Sequence, residues 1–254
     1  MSQVFAQSIQ YTDQAAHVAM QNLLPHLATE NKTLIRSIRW YHHIGSTQDG
    51  FIEAVPRGFQ LCIADHQSKG RGRVKPTGQK KWESSTQGIY LSLQWQTTQN
   101  APFGILIALA ICQMLEPYYQ KLSIKWPNDL LHHHQKFGGI LIESLQDGHL
   151  QTITAGIGIN LTPQHYYHLP TPHPPHLLAK LIDSVIDAIH RPQPIADRWQ
   201  QYDEFDDKTI QVTTPSSPYI GKNIGINEQG YLQIATHHKT ITLEPSLTWK
   251  IQKS

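Results

Sequence analysis

The chain has 254 residues, of which 39% are hydrophobic and 16% charged, and its formal net charge is only +2. This composition is typical of a folded globular protein and argues against a disordered chain. The length allows one large domain with a small appendage, and we expect two unequal parts. Cys62 and Cys112 both lie among apolar neighbours, so we expect buried free thiols and a cytoplasmic protein.

The most apolar segment covers residues 101–115 and contains no charge. It is shorter than the roughly 18 to 20 residues that cross a bilayer, so it predicts a core helix. The N-terminus has neither a basic opening nor a continuous apolar run, and we therefore expect no signal peptide. The chain contains 16 histidines, including the run 132–134, but no spacing suits zinc, and we expect a polar turn there.

Taken in chain order, the pattern first predicts a short amphipathic helix with Ala16, Met20, Leu23 and Leu24 on one side, ending near Pro25. Strands and helices then alternate. The predicted elements are a strand at 39–42, a helix from about Thr47, strands at 60–65 and 88–95, the helix at 101–115, strands at 122–126, 137–145 and 151–161, and helices at 177–189 and 194–205. This order predicts an α+β fold built on a mixed or antiparallel central sheet.

After Asp206 and Asp207 the pattern changes to short strands separated by Pro, Ser and Gly turns. Such a pattern without helices predicts a small β-barrel. We therefore expect an N-terminal helical extension at 1–37, a main domain at 38–205 and a C-terminal barrel at 206–254.

Side chains alternate between the two faces of a strand, so two strands indicate where a ligand binds. In the strand at 88–95, Tyr90 and Ser92 lie on the polar face. In the strand at 151–161, Gly156, Gly158 and Asn160 share the face opposite the isoleucines. Glycine inside a strand commonly marks the close approach of a ligand or of another backbone. The alternative for either glycine alone is a bulge or tight helix packing.

Three further segments carry polar groups at the ends of elements. Ser46 precedes Asp49 by three positions, which is a capping-box pattern with backbone N–H groups that suit an anion or a polar ring. Asn128 and Asp129 follow a strand that ends in Trp-Pro, and Lys136 precedes two glycines. A lysine beside bare backbone fits a cation held near a bound ligand, although each piece alone also fits a surface turn.

A dense local charge separates two of the predicted strands. No acidic residue lies between His66 and Trp82, whereas the basic residues there are Lys69, Arg71, Arg73, Lys75, Lys80 and Lys81. We expect a mobile glycine-rich loop that becomes ordered when it closes over a negative ligand and excludes water.

The motifs STQ, GRGR, KWPNDL, KFGGILIE and GIGINL, in this order, resemble those of the biotin protein ligase family from about Arg39 onward. The resemblance implies a catalytic domain similar to class II aminoacyl-tRNA synthetases, followed by a small β-barrel. It also implies a two-step reaction: biotin and ATP form biotinyl-AMP, and biotin then passes to a lysine of a biotin carboxyl carrier domain of acetyl-CoA carboxylase. The family member would be a short form without an N-terminal DNA-binding domain.

The resemblance also implies roles for individual residues. Lys136, Arg73 and Asp129 would be catalytic, with ATP, biotin and magnesium as substrates and cofactor. Biotin would be bound by Ser46, Thr47, Gln48, Gln67, Arg71, Gly72, Arg73, Tyr90, Ser92, Lys136, Gly139 and Gly156. The nucleotide would be bound by Arg71, Arg73, Trp82, Asn128, Lys136 and Asn160, and magnesium by Asp129 and Asn160.

Two positions depart from the family pattern. Gln48 stands where Asn is usual, which lengthens that side chain by one methylene. The basic segment carries extra residues before Trp82, with Gln79 where a further arginine is usual, so Lys80 or Lys81 would supply that charge.

Two other functions are compatible with parts of the sequence. A lipoate ligase on the same fold is an alternative, whereas an octanoyl transferase needs an activated cysteine, and neither cysteine has basic surroundings. A nucleic-acid binder would use the basic segment, but the small net charge and the missing reading helix argue against it. We expect no membrane and no DNA partner, and a homodimer is compatible with the resemblance.

Overall fold

The computed structural model of the protein describes residues 8–11, 14–51, 58–75, 78–84, 87–161, 168–170, 173, 176–214, 218–245 and 250–253. The helices are α1 (Gln14–Leu23), α2 (Thr29–Leu34), α3 (Phe103–Leu115), α4 (Leu177–His190) and α5 (Ala196–Gln200), with 3-10 turns at Leu24–His26 and Thr47–Asp49. The strands are β1 (Ser8–Tyr11), β2 (Ile35–Ile44), β3 (Phe59–Gln67), β4 (Gly70–Lys75), β5 (Gly78–Trp82), β6 (Gly88–Thr97), β7 (Leu122–Lys125), β8 (Asp129–His132), β9 (Gln135–Asp147), β10 (Leu150–Asn160), β11 (Thr209–Thr213), β12 (Tyr219–Ile226), β13 (Leu232–Ala235), β14 (Thr240–Leu243) and β15 (Lys250–Lys253).

The main sheet has eight strands in the order β1-β2-β3-β6-β10-β9-β8-β7. The pairs β1–β2 and β2–β3 are parallel, and the following pairs are antiparallel. This confirms the predicted α+β fold with a mixed central sheet. Strand β1 was not expected from the sequence, because the segment Ser8–Tyr11 is short and largely polar. It becomes a strand only by pairing along the edge of β2.

One face of this sheet is covered by α3 and α4. Helix α3 packs against β7, β8, β9 and α4, and its residues from Ile105 to Cys112 are all buried. Burying an aliphatic side chain of this size contributes roughly 1.5–3 kcal/mol. The predicted apolar helix is thus confirmed as the centre of the core, which leaves the opposite face of β9 and β10 available for the polar residues of the next subsection.

The segment after Ser46 differs from the predicted helix start. Among the described residues there, Thr47–Asp49 form a single 3-10 turn, and residues 52–57 lie outside the description. The Ser46 hydroxyl accepts a hydrogen bond from the backbone N–H of Gln48 at 3.4 Å. The expected capping box is not formed, because the Asp49 carboxylate is paired with Arg71 instead.

The basic segment, expected as a loop, forms an antiparallel hairpin of β4 and β5. We call this hairpin, residues 70–75 and 78–82, the flap. Its two strands pair with each other in a sheet of their own. The base of the flap follows β3 directly, and there the backbone N–H groups of Ser68 and Lys69 donate to the carbonyls of Ile44 and Gly45 at 3.0 and 2.7 Å.

The C-terminal strands form a five-stranded antiparallel sheet in the order β14-β13-β12-β11-β15. This sheet corresponds to the small β domain expected from the sequence, and in the described residues it is an open sheet rather than a closed barrel. Strands β14 and β15 stand at opposite ends of the strand order, and closure would require a ladder between them.

The main domain and this sheet meet around Asp203. Its carboxylate accepts hydrogen bonds from Trp199 Nε1 at 2.7 Å, from the backbone N–H of Phe205 at 2.9 Å and from Asn223 Nδ2 at 2.8 Å. Burial raises the pKa of Asp203, and the three donors oppose that rise. Since Asn223 belongs to β12, this buried carboxylate joins the two domains.

We expect Asn223→Ala to lower the free energy of unfolding at pH 7 by about 2 kcal/mol, because a buried charge loses a donor. The loss of that donor raises the pKa of Asp203 further above its ordinary value. The defect is therefore complete where the carboxylate is ionised in both proteins, and it disappears as the pH falls through the two raised pKa values, before the ordinary value is reached. Thermal unfolding at pH 7 should show a Tm roughly 5 °C lower. The exposed Asn100→Ala is the control, and equal Tm values for the two variants would contradict the role of Asp203.

Candidate active site

A cavity of about 410 Å³ opens on the polar face of β9 and β10. It lies between the turn at 46–48, the flap, the segment 125–129 and β15 of the C-terminal sheet. It is lined by Ser46, Thr47, Gln48, Gln67, Arg71, Gly72, Arg73, Lys81, Trp82, Glu83, Lys125, Trp126, Pro127, Asn128, Asp129, Lys136, Gly139, Ile140, Leu141, Gly156, Ile157, Gly158, Asn160 and Ile251. Segments that are far apart in sequence thus meet at one site.

Nearly all residues that the family resemblance singled out line this one cavity. The exceptions are Tyr90 and Ser92, which are fully buried in β6 and do not line the cavity. Ser92 reaches the site through Thr47, since their hydroxyl oxygens lie 2.7 Å apart. The structure therefore brings the residues together, and their roles toward a ligand are proposals.

Thr47 and Gln67 fix the turn at 46–48 against the main sheet. The side-chain carbonyl of Gln67 accepts hydrogen bonds from the backbone N–H of Thr47 at 2.8 Å and from its hydroxyl at 3.1 Å. Both residues are buried, so these bonds are shielded from water and hold the turn in one position.

Gln48 extends from that turn across Gly156. A methyl group at Gly156 would lie 3.0 Å from Cδ of Gln48. The Gln48 Nε2 atom is buried and has no hydrogen-bond partner in the described part of the chain. A buried amide N–H₂ without a partner costs about 1–3 kcal/mol, and a ligand with a carbonyl or carboxylate oxygen at this position would remove that cost.

Trp82 covers the second glycine of β10. A methyl group at Gly158 would come within 2.6 Å of the Trp82 indole ring. In this structure the groups that approach the two glycines are side chains, the Gln48 amide and the Trp82 ring, whereas the sequence predicted a ligand or another backbone. The ring also lies 5.8 Å from Lys136 Nζ, within cation–π distance.

Lys136 forms an ion pair with Asp129 inside the cavity. A methyl group at Gly139 would lie 3.3 Å from Lys136 Nζ, so the glycine leaves room for the ammonium group beside the backbone. Both charged side chains are about one-third exposed, at 34% and 30%. The pair is therefore reachable by a ligand, and an anion would compete with Asp129 for the lysine.

The side-chain amide of Asn128 is held by a hydrogen bond to β9. Its Nδ2 donates to the carbonyl of Ile140 at 2.6 Å, and the backbone N–H of Ile140 donates to the Asn128 carbonyl at 3.0 Å. Nearby, Trp126 Nε1 donates to the carbonyl of Gly230 at 2.9 Å. The segment 126–129 is thereby fixed to β9 on one side and to the C-terminal sheet on the other.

The two flap arginines already have protein partners. Arg71 pairs with Asp49 at 2.5 Å and with Glu143 at 3.0 Å. Burial alone would lower the pKa of Arg71, but hydrogen bonds and charges of the two carboxylates raise it. Arg73 donates to the carbonyl of Pro245, and burial lowers its pKa although Asp129 opposes this.

The residues expected to hold magnesium do not form a resident metal site. The described residues contain no group of three or more His, Cys, Asp or Glu placed to hold a metal ion. The single carboxylate of the expected pair, Asp129, is engaged by the Lys136 ammonium. Magnesium demands an octahedral shell of oxygen ligands, and the chain's own groups do not supply one at this position.

Both cysteines are buried free thiols, as expected. Burial raises the pKa of Cys62 to about 12 and also raises that of Cys112. Both thiols are therefore protonated at neutral pH and are poor nucleophiles, which argues against the octanoyl transferase alternative.

Some parts of the site were not predicted. Ile251 belongs to β15 and carries no motif that would place it near β10. Asp49 and Glu143 were within or beside the quoted motifs, yet nothing in the sequence pairs them with Arg71. The basic segment contains no acidic residue of its own, so its positive charges need acidic partners from elsewhere in the chain. That need is the signal in the sequence that could have led to Asp49 and Glu143.

Several solved structures with a similar architecture are biotin protein ligases. The Aquifex aeolicus structure titled biotin protein ligase in complex with biotin and ATP superposes with a TM-score of 0.68 at 20% identity, covering 85% of this chain and 99% of that one. This likeness defines the class of fold: the chain has the fold of the biotin protein ligase structures, a mixed sheet with helices and a separate C-terminal sheet.

Residues 41–160 match the model of the biotin/lipoate A/B protein ligase family. This segment is therefore similar to the domain that the family shares. The Salmonella typhimurium bifunctional ligase/repressor BirA is 29% identical over 74% of this chain and 66% of its own length. The Paracoccus denitrificans biotin–acetyl-CoA-carboxylase ligase is 50% identical over 41% of this chain and 45% of its own.

The chain spans 66% and 60% of the length of the Salmonella and Escherichia coli BirA proteins that it matches. In the described part of the chain, every helix is too short or too polar to cross a membrane.

We expect Gly158→Ala to displace the Trp82 ring, because the added methyl would meet ring atoms at 2.6 Å and overpacking of this kind costs about 1–3 kcal/mol. Acrylamide quenching of tryptophan fluorescence should increase relative to wild type, and the increase should vanish in the Trp82→Phe background. Gly156→Ala is the matched control for this signal, since its methyl meets a side chain that can move. Unchanged quenching in Gly158→Ala would contradict the packing.

Proposed function

We propose that the protein is a biotin protein ligase. It activates biotin with ATP to biotinyl-AMP and transfers the biotinyl group to a lysine of a biotin carboxyl carrier domain of acetyl-CoA carboxylase. The proposal is supported by the family domain and by relatives with ligase names. The observation that carries it is the cavity in which Lys136, the flap arginines and the bare face of β10 converge.

In the first step, a carboxylate oxygen of biotin attacks the α-phosphorus of ATP, and the bond to the leaving pyrophosphate breaks. Two anions must approach, so cations have to neutralise the charge that builds up. Lys136 exchanges Asp129 for the reacting oxygens, since its ammonium group is exposed to the cavity. Arg73 and Lys81 line the same cavity and face the nucleotide.

In the second step, the ε-amine of the acceptor lysine attacks the acyl carbon of biotinyl-AMP, and AMP leaves with the bonding electrons. Asp129, released from Lys136, orients the incoming amine and accepts its proton. An acyl phosphate hydrolyses readily, so the flap and Trp82 protect it by excluding water from the face of β10.

The cavity supports the following assignment of binding roles. The fused rings and ureido group of biotin lie by the turn at 46–48, where the amide N–H₂ of Gln48 has no partner among the described residues. The nucleotide lies toward Trp82, Asn128 and Asn160. Magnesium arrives with the nucleotide as part of the substrate MgATP, held mainly by phosphate oxygens. The reaction takes place in the cytoplasm, where ATP and carboxylases are available.

We expect Lys136→Ala to remain folded and to lose biotin-dependent ATP–pyrophosphate exchange by about a hundredfold or more, as is typical when one group that stabilises developing charge is removed. The control is Lys180→Ala, which removes a surface lysine bonded to Tyr118. Exchange at the wild-type rate in Lys136→Ala would refute the assignment.

The same assay tests the substrate. Wild-type exchange should be driven by biotin and not by lipoate or octanoate. Exchange driven by lipoate would instead establish the lipoate ligase alternative, and exchange with none of these acids would refute the proposed function.

We expect Gln48→Ala to raise the KM for biotin roughly tenfold, as for the loss of a hydrogen bond and its packing. The KM for ATP should stay within about twofold, because Gln48 lies over Gly156, away from the Trp82 end of the cavity. Gln146→Ala, on the exposed end of β9, is the matched control. An equal rise in both KM values would show that Gln48 only supports the fold.

A further inference from the structure

The flap is attached to the rest of the molecule in an unusual way. A strand is normally held by a hydrogen-bond ladder to the sheet beside it. Among the residues that the structure describes, strands β4 and β5 form such a ladder only with each other. The base of the flap is fixed by backbone bonds at Ser68 and Lys69, so beyond that base its position over the cavity depends on side chains that reach across to other elements.

Arg71 is the side chain that connects the flap to two other elements at once. Its Nη1 lies 2.5 Å from Asp49 Oδ1 on the turn at 47–49, and its Nη2 lies 3.0 Å from Glu143 Oε2 on β9. The two carboxylates thus occupy both ends of one guanidinium group. We call this arrangement of Asp49, Arg71 and Glu143 the Arg71 clamp.

The carboxylates are not explained by affinity for an anionic ligand. Arg71 lines the cavity, and two negative charges beside it weaken its attraction for a phosphate or a carboxylate. They also occupy one N–H group on each terminal nitrogen, while the Nε–H is buried and has no partner among the described residues. What the two carboxylates do provide is a fixed position for the arginine, and through it for β4.

We propose that Asp49 and Glu143 are positioning residues that hold the flap over the cavity before any ligand is bound. The flap is then already in place when the substrates meet, instead of being ordered by the product. The docking itself is a property of the free protein, and only its consequence, retention of the activated intermediate, rests on the proposed function.

The clamp acts together with a second attachment. Arg73 donates to the carbonyl of Pro245, next to the C-terminal sheet, and this contact does not involve either carboxylate. Loss of the clamp should therefore loosen the flap without releasing it fully. The three clamp side chains are partly exposed, at 26%, 57% and 42% for Arg71, Asp49 and Glu143, so salt should weaken the clamp.

The test is hydrogen–deuterium exchange, followed by mass spectrometry, on the ligand-free full chain. Peptides covering Gly70–Lys75 and Gly78–Trp82 report on the flap. We expect Asp49→Asn and Glu143→Gln each to speed exchange there about two- to fivefold, and the double variant to exceed either, as for partly exposed ion pairs. Salt at 0.5 M should speed exchange in the wild type and have little effect in the double variant.

Two variants control for the general effect of removing an exposed carboxylate. Asp207→Asn breaks the pair with Lys222, and Glu30→Gln breaks the pair with Arg191; neither should change exchange in the flap. The charge-conserving Asp49→Glu and Glu143→Asp should retain most of the protection. Wild-type exchange in the double variant, or the same increase in the controls, would overturn the proposal.

Under the proposed function, the double variant should release several-fold more biotinyl-AMP into solution per biotin transferred, at a nearly unchanged KM for biotin. The exchange measurement needs neither biotin nor ATP. It therefore decides the role of the clamp even if the proposed reaction is wrong, and a failure of either idea is recognised separately.

Discussion

The site depends on the bare backbone of β10 at Gly156 and Gly158. A side chain at either position would meet the Gln48 amide at 3.0 Å or the Trp82 ring at 2.6 Å. Because these side chains are absent, the turn at 46–48 and the flap can both approach the same face of β10 and enclose the cavity between them. The other face of the same strand carries isoleucines that pack in the core, so one strand separates the apolar interior from the site.

The charges around the cavity are balanced within the protein. Lys136 has Asp129, Arg71 has Asp49 and Glu143, and Arg73 has the Pro245 carbonyl. A segment as basic as the flap would otherwise repel itself and remain in solvent. An anionic ligand therefore binds by taking the place of Asp129 at Lys136, while the Arg71 clamp remains closed.

Much of the fold followed from local patterns. Alternation along β6 and β10 located their faces, and the uncharged segment at 101–115 located the central helix, because both signals depend on period alone. The flap was mistaken for a loop since glycine and charge are poor strand formers, and its two strands stabilise each other through pairing. The short strands of the C-terminal β domain were expected, whereas its open arrangement was not, because strand count does not determine closure.

The sequence by itself determined the glycine face of β10, the polar residues of the site and the family that they resemble, since each is carried by a short continuous motif. The tertiary structure alone decided which groups meet: Arg71 pairs with Glu143 across 72 residues of sequence, and Arg73 contacts Pro245 across 172. A motif indicates which functional groups are present at its positions. Partners so far apart in sequence are chosen by strand order and domain packing, which no local pattern contains.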